Sequence, residues 1–306
     1  MQYGACSYPQ ESYVVHRARL GVHVIHRESL AMLVIVRIFV AAALMACTPM
    51  AAAIAAPSPI GIVLLHGTAG VPLGSAGRNG RVIGGNLVAS LRKAGYRVET
   101  PEMCWSGARI YDHPYTECFA DIDAAIARLR AQGATQIVVG GLSMGANGAI
   151  GYAATHPGLL GVIACAPAHD PAAYVGKAAI DDALVQAKAA VAAGTGDRVQ
   201  TFPDFDGSKR PPTFPVRATP RIYVSFFDPD GPANISTNAE HLSVPIVWVS
   251  GTRDPSQTNS ANEFALVPAN PLNKYVSVDA EHLDTPDVGA SAIVNWMHAL
   301  SAGAGT

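Results

Sequence analysis

The chain has 306 residues, of which 49% are hydrophobic and 14% are charged. This composition is typical of a globular protein and excludes an intrinsically disordered chain. The formal net charge of -2 also argues against a nucleic-acid partner, because proteins that bind nucleic acid normally carry a strongly basic face or tail.

Residues 1–56 are predicted to be a leader and not part of the fold. Arg37 is followed by 19 uncharged residues, Ile38 to Ala56, which contain Pro49 and an Ala-X-Ala site at residues 53–55. A basic residue, an apolar stretch and a small-residue cleavage site are typical of a secretory signal peptide. Counted from the first residue this leader is too long for that class, so we expect translation to start at Met32.

Two other interpretations of the leader stay open. One is a retained membrane anchor, because 19 uncharged residues are just long enough to span a bilayer, although the alanine content and Pro49 disfavour it. The other is a lipoprotein modified at Cys47, although Met45 fits the lipobox pattern poorly. The expected localisation is periplasmic or secreted, with a membrane partner only if the leader is retained.

Export would place the cysteines of the mature chain in an oxidising compartment. Cys104 and Cys118 flank a loop-like segment, and a disulfide between them would contribute roughly 3 kcal/mol by closing that loop. Cys165 lies in an apolar run and is expected to be a buried thiol. Free thiols at all three positions are the alternative, because sequence alone does not fix pairing.

The rest of the chain is long enough for one domain with a sizeable core. Apolar runs and helical patterns alternate along it, which predicts a mostly parallel sheet with helices on both faces. Strands are predicted at 60–65, 97–100, 136–140, 161–165, 246–250 and 275–278, and helices at 82–91, 115–130, 144–155 and 288–300.

The pattern is irregular between His169 and Leu242, where we predict only an Ala-rich helix at about 178–193 followed by a stretch rich in proline and aromatics. The six strands resemble an α/β-hydrolase core that lacks its first two antiparallel strands. That resemblance implies one α/β-hydrolase domain over residues 57–303, with a small cap-like insertion at about 170–242.

A G-x-S-x-G motif, Gly141-Leu142-Ser143-Met144-Gly145, lies between a predicted strand and a predicted helix. In that context the motif is typical of a nucleophile elbow, whose sharp turn needs Gly141 and Gly145 to relieve crowding around Ser143. The helix start leaves unpaired N–H groups, so the Met144 N–H is a predicted oxyanion donor. The alternative is a serine that merely caps the helix.

His66-Gly67-Thr68 follows the first predicted strand, where a second oxyanion donor is expected. The Thr68 N–H is our candidate, and Gly67 would let the backbone approach the substrate oxygen. His66 is predicted to support this loop and not to act as a base.

A serine nucleophile needs a base that a third group holds in place. The fold implies the chain order serine, acid, histidine, and Asp254 and His282 each follow a late predicted strand. Asp170 is the competing acid. His241 and His298 are competing bases, but neither follows a strand.

Substrate-pocket residues are predicted from the irregular stretch and the loop before it. His169, Asp170 and Phe226 are candidates, although a structural role for His169 is equally open. The six aromatic side chains between Phe202 and Phe227 form either an acyl-binding wall over Ser143 or the core of the cap.

No cofactor and no metal are expected. The sequence contains no H-E-x-x-H or paired-cysteine spacing for a metal, no G-x-x-x-x-G-K-[ST] for phosphate, and no G-x-G-x-x-G after a strand for a dinucleotide.

Four motifs together resemble exported α/β-hydrolase-fold serine hydrolases: GIVLLHGTAG, GGLSMGANGA, VSGTRDP and DAEHLDTP. The resemblance extends over essentially the whole chain after the leader, although the short N-terminal sheet departs from the eight-stranded pattern. It implies hydrolysis of a small-molecule carboxylic ester through an acyl-enzyme on Ser143, with a Ser-His-Asp triad. The alternatives are an amidase or peptidase of the same fold, and a non-catalytic envelope binding protein on this fold.

Overall fold

The computed structural model describes residues 58–206 and 211–303. The predicted leader, with Met32 and Cys47, lies outside the described residues. Within them, no helix is long and apolar enough to cross a membrane.

The described chain contains eight strands: β1 (Ile60–Leu65), β2 (Arg97–Glu99), β3 (Gln136–Leu142), β4 (Gly161–Cys165), β5 (Gln200–Phe205), β6 (Thr213–Ala218), β7 (Ile246–Gly251) and β8 (Lys274–Val278). Six of them form one parallel sheet in the order β2-β1-β3-β4-β7-β8. The remaining two, β5 and β6, pair with each other as an antiparallel hairpin. The predicted parallel sheet is therefore confirmed.

The helices of the described chain are α1 (Gly85–Lys93), α2 (Phe119–Ala131), α3 (Met144–Thr155), α4 (Ala178–Ala192), α5 (Pro220–Phe227), α6 (Ile235–Glu240), α7 (Ser260–Ala265), α8 (Thr285–Val288) and α9 (Ala290–Gly303). Successive strand residues point to opposite faces of the sheet, so it needs apolar cover on both. Ile62 and Val138 belong to a core cluster with α1 and α9, whereas Val63 and Val139 belong to one with α2 and α3. Helices on both faces were predicted, and this too is confirmed.

Some predicted boundaries shift where tertiary contacts override local pattern. The helix predicted from Tyr115 begins at Phe119 instead. Residues 115–118 form a turn, in which the Cys118 N–H donates to the Pro114 carbonyl at 3.1 Å, and the Tyr115 N–H donates to Ser225 Oγ at 2.9 Å. The helix predicted from Val82 begins at Gly85, after Gly84 takes a left-handed φ of 68° that glycine adopts without strain.

The segment between β4 and β7 contains a 3₁₀ turn at Pro171–Tyr174, then α4, the β5–β6 hairpin, α5 and α6. Sequence analysis predicted only α4 there. It missed the hairpin because Pro203 and Pro215 sit opposite each other in it, and proline inside a run argues against a strand. The aromatic side chains of this segment pack together in the interior, among them Phe202, Tyr223 and Phe227.

Cys104 and Cys118 form a disulfide, with Cα atoms 5.5 Å apart. Cys165 is a free thiol at the end of β4, and burial raises its pKa to about 12. The disulfide closes the loop between β2 and α2, which carries Tyr111.

Candidate active site

Ser143 lies at the sharp turn between β3 and α3. Its φ of 59° and ψ of -123° are strained for a residue with a side chain. Glycines allow the turn to pack against β1: a Cβ on Gly141 would lie 2.6 Å from the Leu65 carbonyl oxygen, and a Cβ on Gly145 would collide with the same carbonyl. Strain of this kind is characteristic of functional sites.

Hydrogen bonds hold the backbone of Ser143 in place, but none holds its hydroxyl group. Its carbonyl accepts hydrogen bonds from the N–H groups of Ala146 at 2.9 Å, Asn147 at 3.0 Å and Ala168 at 3.4 Å. Among the described residues, Ser143 Oγ makes no hydrogen bond, to His282 or to any other group.

The two N–H groups predicted as oxyanion donors make no hydrogen bond with the described part of the chain. Within residues 58–206 and 211–303, neither the Thr68 N–H nor the Met144 N–H donates to another group. Gly67 brings bare backbone close to the nucleophile, since a Cβ there would lie 3.2 Å from Ser143 Cβ. The role of these two N–H groups as oxyanion donors stays a prediction.

His66 is held at both ring nitrogens by the main chain. Its Nε2 accepts the Met103 N–H at 3.0 Å, and its Nδ1 lies 2.8 Å from the Gly67 carbonyl oxygen. The Trp105 indole donates to the His66 carbonyl at 2.9 Å. Burial lowers the pKa of His66, so the neutral ring accepts at Nε2 and donates at Nδ1. This histidine supports the loop that carries Thr68.

Asp254 and His282 are brought together from the loops after β7 and β8. The His282 Nδ1–H donates to Asp254 Oδ2 at 2.5 Å, and the Asp254 side chain is 1% exposed against 14% for His282. Burial acts to raise the pKa of Asp254, but hydrogen bonds from His282 and Ser256 outweigh it and the pKa falls below its ordinary value. An ionised carboxylate thus holds Nδ1 and leaves the other nitrogen of the ring free.

The sequence did not single out Ser256, which binds this carboxylate, or its neighbour Gln257. The Ser256 hydroxyl donates to Asp254 Oδ1 at 2.7 Å and its N–H to the same oxygen at 2.9 Å. Gln257 Nε2 donates to the Pro167 carbonyl at 2.7 Å, which links the acid loop to the loop after β4. The Asp-Pro-Ser sequence at the start of a 3₁₀ turn was the available signal, because aspartate there caps the N–H two residues on.

The competing acid and the competing bases each make contacts with groups other than Ser143 or the Asp254–His282 pair. Asp170 accepts the N–H groups of Ile235 at 3.2 Å and Ala172 at 3.4 Å, and burial raises its pKa. His241 Nδ1 lies 2.7 Å from the Thr237 carbonyl oxygen, and His298 packs near Tyr96. Among the described residues Asp254 alone is hydrogen-bonded to His282 through a carboxylate. The catalytic roles of Ser143, Asp254 and His282 stay predictions.

His169 and Phe226 belong to a buried cluster that also contains two residues the sequence did not single out, Tyr111 and Asp204. His169 Nε2 lies 3.0 Å from the Tyr111 hydroxyl and 3.1 Å from Asp204 Oδ1. The Phe226 ring, which is fully buried, packs with its centroid 4.7 Å from that of Tyr111. Tyr111 and Asp204 carried no motif, so only the packed structure could reveal them.

Backbone strain concentrates around this site. The non-glycine residues with positive φ in the described chain are Ala69, Ile110, Tyr111, Ser143, Ala166 and His169. All lie in the loops after β1, β2, β3 and β4, at the edge where the parallel strands end. Strained positions cluster at ligand sites because surrounding contacts must hold them.

The described residues contain no group of three or more His, Cys, Asp or Glu side chains suited to a metal. Two cavities of about 420 and 530 Å³ are not lined by Ser143; one lies beside Tyr152 and Arg130 and the other beside Phe264 and Asn273.

Comparison with known proteins places the chain in a family. The model of the family described as serine aminopeptidase, S33 (Hydrolase_4) matches residues 99–276. No curated protein matches significantly.

Solved structures share the fold at low sequence identity. A monoacylglycerol lipase of Paleococcus ferrophilus is 22% identical, with a TM-score of 0.56, over 80% of this chain and 96% of that one. A structure from work on LipS and LipT, two metagenome-derived lipolytic enzymes, is 17% identical, with a TM-score of 0.55, over 81% and 95%. Est1E from Butyrivibrio proteoclasticus, with ferulic acid bound, is 15% identical, with a TM-score of 0.55, over 80% and 90%.

These structural likenesses show the fold alone, whereas the family model covers more than half of the chain. The chain therefore belongs to the S33 serine aminopeptidase family of α/β-hydrolase-fold serine hydrolases.

Proposed function

We propose that this protein hydrolyses carboxylic esters through an acyl-enzyme on Ser143, with His282 as base and Asp254 as its orienting acid. The observation that carries the proposal is the 2.5 Å hydrogen bond from His282 Nδ1 to Asp254 Oδ2. It fixes the imidazole tautomer with a bare Nε2, which is the state in which a histidine can take the proton of a serine hydroxyl.

In the first half of the reaction, Ser143 Oγ attacks the ester carbonyl carbon while its proton moves to His282 Nε2. The tetrahedral oxyanion lies on the N–H groups of Thr68 and Met144, each of which is typically worth about 3 kcal/mol of transition-state stabilisation. The mechanism requires Ser143 Oγ to reach His282, a contact that often tightens only when substrate is bound.

The carbon–oxygen bond to the alcohol then breaks and the alcohol leaves with the proton from His282, which completes the first half of the reaction and forms the acyl-enzyme on Ser143. A water molecule then gives a proton to His282 and attacks the acyl carbon. Collapse of the second tetrahedral species returns the proton to Ser143 Oγ and releases the acid. Asp254 stays ionised throughout and stabilises the transient imidazolium.

An ester is the first choice of substrate because an amide nitrogen leaves only after protonation, which demands more of the acid. An aminopeptidase or amidase is the second candidate, and it is favoured by the description of the family. A non-catalytic binding protein on this fold is the third, and a free Ser143 hydroxyl at a strained elbow disfavours it.

The test compares Ser143→Ala with Ser277→Ala, a control at an exposed serine of β8. We expect Ser143→Ala to abolish labelling by a fluorophosphonate probe and to lower turnover of p-nitrophenyl butyrate at least about 1,000-fold, with the control unchanged. An amino-acid p-nitroanilide measured in parallel separates esterase from aminopeptidase. Labelling that persists at another serine would reject the elbow assignment.

We also infer export to the periplasm or the medium. The Arg37 to Ala55 segment supports this, as does the Cys104–Cys118 disulfide, since such bonds persist in oxidising compartments. The intact mass of the protein recovered from the producing cells tests the inference. A mature chain that starts near residue 57 is expected, and a mass that includes the leader would contradict it.

A further inference from the structure

A second histidine–aspartate pair lies beside the proposed active site. Asp204, on β5, is fully buried, and three donors surround its carboxylate. The Phe205 N–H lies 2.7 Å from Oδ1, His169 Nε2 lies 3.1 Å from the same oxygen, and the Tyr111 hydroxyl donates to Oδ2 at 2.9 Å. A carboxylate surrounded by donors fits the ionised, acceptor-only form.

The order of the strands places this cluster next to the nucleophile. Tyr111 lies in the loop after β2 and His169 in the loop after β4, while β1 and β3 lie between those two strands in the sheet. A contact between Tyr111 and His169 must therefore bridge the ends of β1 and β3, which lead to Thr68 and Ser143.

Two local contacts agree with that placement. The Ala168 N–H, one residue before His169, donates to the Ser143 carbonyl at 3.4 Å. The Thr68 side chain lies close enough to the Tyr111 hydroxyl to act on its pKa, although burial and the charge of Asp204 dominate and raise that pKa well above its ordinary value. Tyr111 is thus a protonated donor beside the oxyanion loop.

The hydrogen bonds decide the tautomer of His169. Because an ionised Asp204 only accepts, His169 Nε2 must carry the proton that lies between them. In the neutral ring, Nδ1 is then a bare acceptor. That nitrogen is buried and has no hydrogen-bond partner among the described residues, in a side chain that is 4% exposed. The aromatic rings of Tyr174 and Phe227 pack edge-on against the imidazole.

We propose that Tyr111, His169 and Asp204 form a polar recognition subsite beside Ser143, in which His169 Nδ1 accepts a hydrogen bond from a hydroxyl group on the acyl part of the ester. The inference rests on the proposed esterase function and adds a substrate class to it. The hydroxyl belongs to the acyl part because the leaving alcohol must lie at His282, which donates its proton, whereas this subsite contacts the oxyanion loop.

The subsite selects by the direction of the hydrogen bond. A hydroxyl supplies the donor that Nδ1 lacks, while an ether oxygen at the same place would present a second acceptor. Sites built to bind a hydroxyl reject analogues without it, since the buried polar group is then left unpaired. The subsite therefore favours hydroxyacyl esters over their unsubstituted and O-methylated counterparts.

The test uses the wild-type protein with matched p-nitrophenyl esters that share one leaving group: butyrate, 2- and 3-hydroxybutyrate, and 2- and 3-methoxybutyrate. We expect kcat/KM for one of the hydroxy esters to exceed that of both butyrate and the matching methoxy ester at least 10-fold. Rates within threefold of one another across the whole series would overturn the proposal and leave Nδ1 as a structural atom.

A variant tests the residue itself. His169→Phe keeps an aromatic ring and removes the acceptor, so the preference for the hydroxy ester is expected to fall to about 1, whatever the absolute rates. Val185→Ala, at an exposed position of α4, is the control and should keep the wild-type ratio. A preference that survives in His169→Phe would overturn the assignment.

Failure of the proposed function would look different from failure of the subsite. If no ester in the series is hydrolysed and the fluorophosphonate probe labels nothing, both are rejected. If all esters are hydrolysed at similar rates, the esterase stands and only the subsite is rejected. The wild-type series also decides the matter if His169→Phe does not fold.

Discussion

Two histidine–aspartate pairs lie at the same edge of the sheet and differ in what surrounds them. In the Asp254–His282 pair the histidine uses Nδ1 and its side chain is 14% exposed. In the Asp204–His169 pair the histidine uses Nε2, is 4% exposed and also contacts the Tyr111 hydroxyl. The residue types are identical, so the free nitrogen of each ring and its burial must determine the role.

This difference in exposure explains why only one of the two histidines is a suitable base. A base must exchange its proton with substrate and water during turnover, which needs an accessible nitrogen. The His282 side chain is the more exposed of the two, whereas the free nitrogen of His169 is buried. Four sets of substitutions would break or sharpen this contrast.

Asp254→Asn and Asp204→Asn should have the largest and most divergent effects. Asp254→Asn is expected to lower kcat about 1,000- to 10,000-fold because the imidazole loses its tautomer and orientation. Asp204→Asn is expected to lower the free energy of unfolding by about 1–3 kcal/mol through lost buried hydrogen bonds, with a far smaller change in kcat for p-nitrophenyl butyrate. Similar losses of kcat in both variants would erase the distinction between the pairs.

Removal of the disulfide by Cys104→Ser with Cys118→Ser should affect the loop that carries Tyr111 and leave the Asp254–His282 pair unchanged. We expect the free energy of unfolding, measured by urea titration, to fall by about 3 kcal/mol because the open loop gains entropy in the unfolded chain. Cys165→Ala, which removes the buried free thiol, is the control and should cost less. Equal losses in the two proteins would show that the disulfide contributes nothing specific.

Glu263→Gln probes a buried carboxyl group near Asp170. Burial and then the negative charge of Asp170 raise the pKa of Glu263 from 4.5 to about 7. Between those values the folded protein holds a proton that the unfolded chain has lost, so the free energy of unfolding should fall as the pH rises through this window.

At pH 8, Glu263→Gln is therefore expected to be more stable than the wild type by roughly 2 kcal/mol, and at pH 4.5 the difference should be small. Urea titrations at the two pH values measure this. Glu240→Gln, at an exposed glutamate, should show no such change, and a Glu263→Gln effect equal at both pH values would contradict the assignment.

Ser256→Ala should have the smallest effect and should be confined to the Asp254–His282 pair. Loss of the hydroxyl donor to Asp254 Oδ1 is expected to lower kcat about 10-fold, the equivalent of one hydrogen bond of about 1.4 kcal/mol, with KM unchanged. Ser256→Thr, which keeps the hydroxyl, should restore most of the rate. A change in KM alone, or no rescue by threonine, would make Ser256 a surface residue without a positioning role.

Much of the fold was predictable because its signals are local. The runs that form β1 and β4 are continuously apolar and α3 follows the elbow directly, so their predicted bounds agree with the structure. The β5–β6 hairpin was not predictable, since its facing prolines resemble a loop. The start of α2 was predicted four residues too early, because residues 115–118 form a turn before the helix begins.

The sequence by itself determined that five chemically useful residues follow five strands, and parallel strands end at one edge, so Thr68, Ser143, His169, Asp254 and His282 had to gather there. Only the tertiary structure decided which of them pair and through which atoms. Tyr111 and Asp204 are 93 residues apart, and their contact with His169 depends on the paths of two loops. Side-chain burial and tautomers follow from that packing, and no local pattern encodes them.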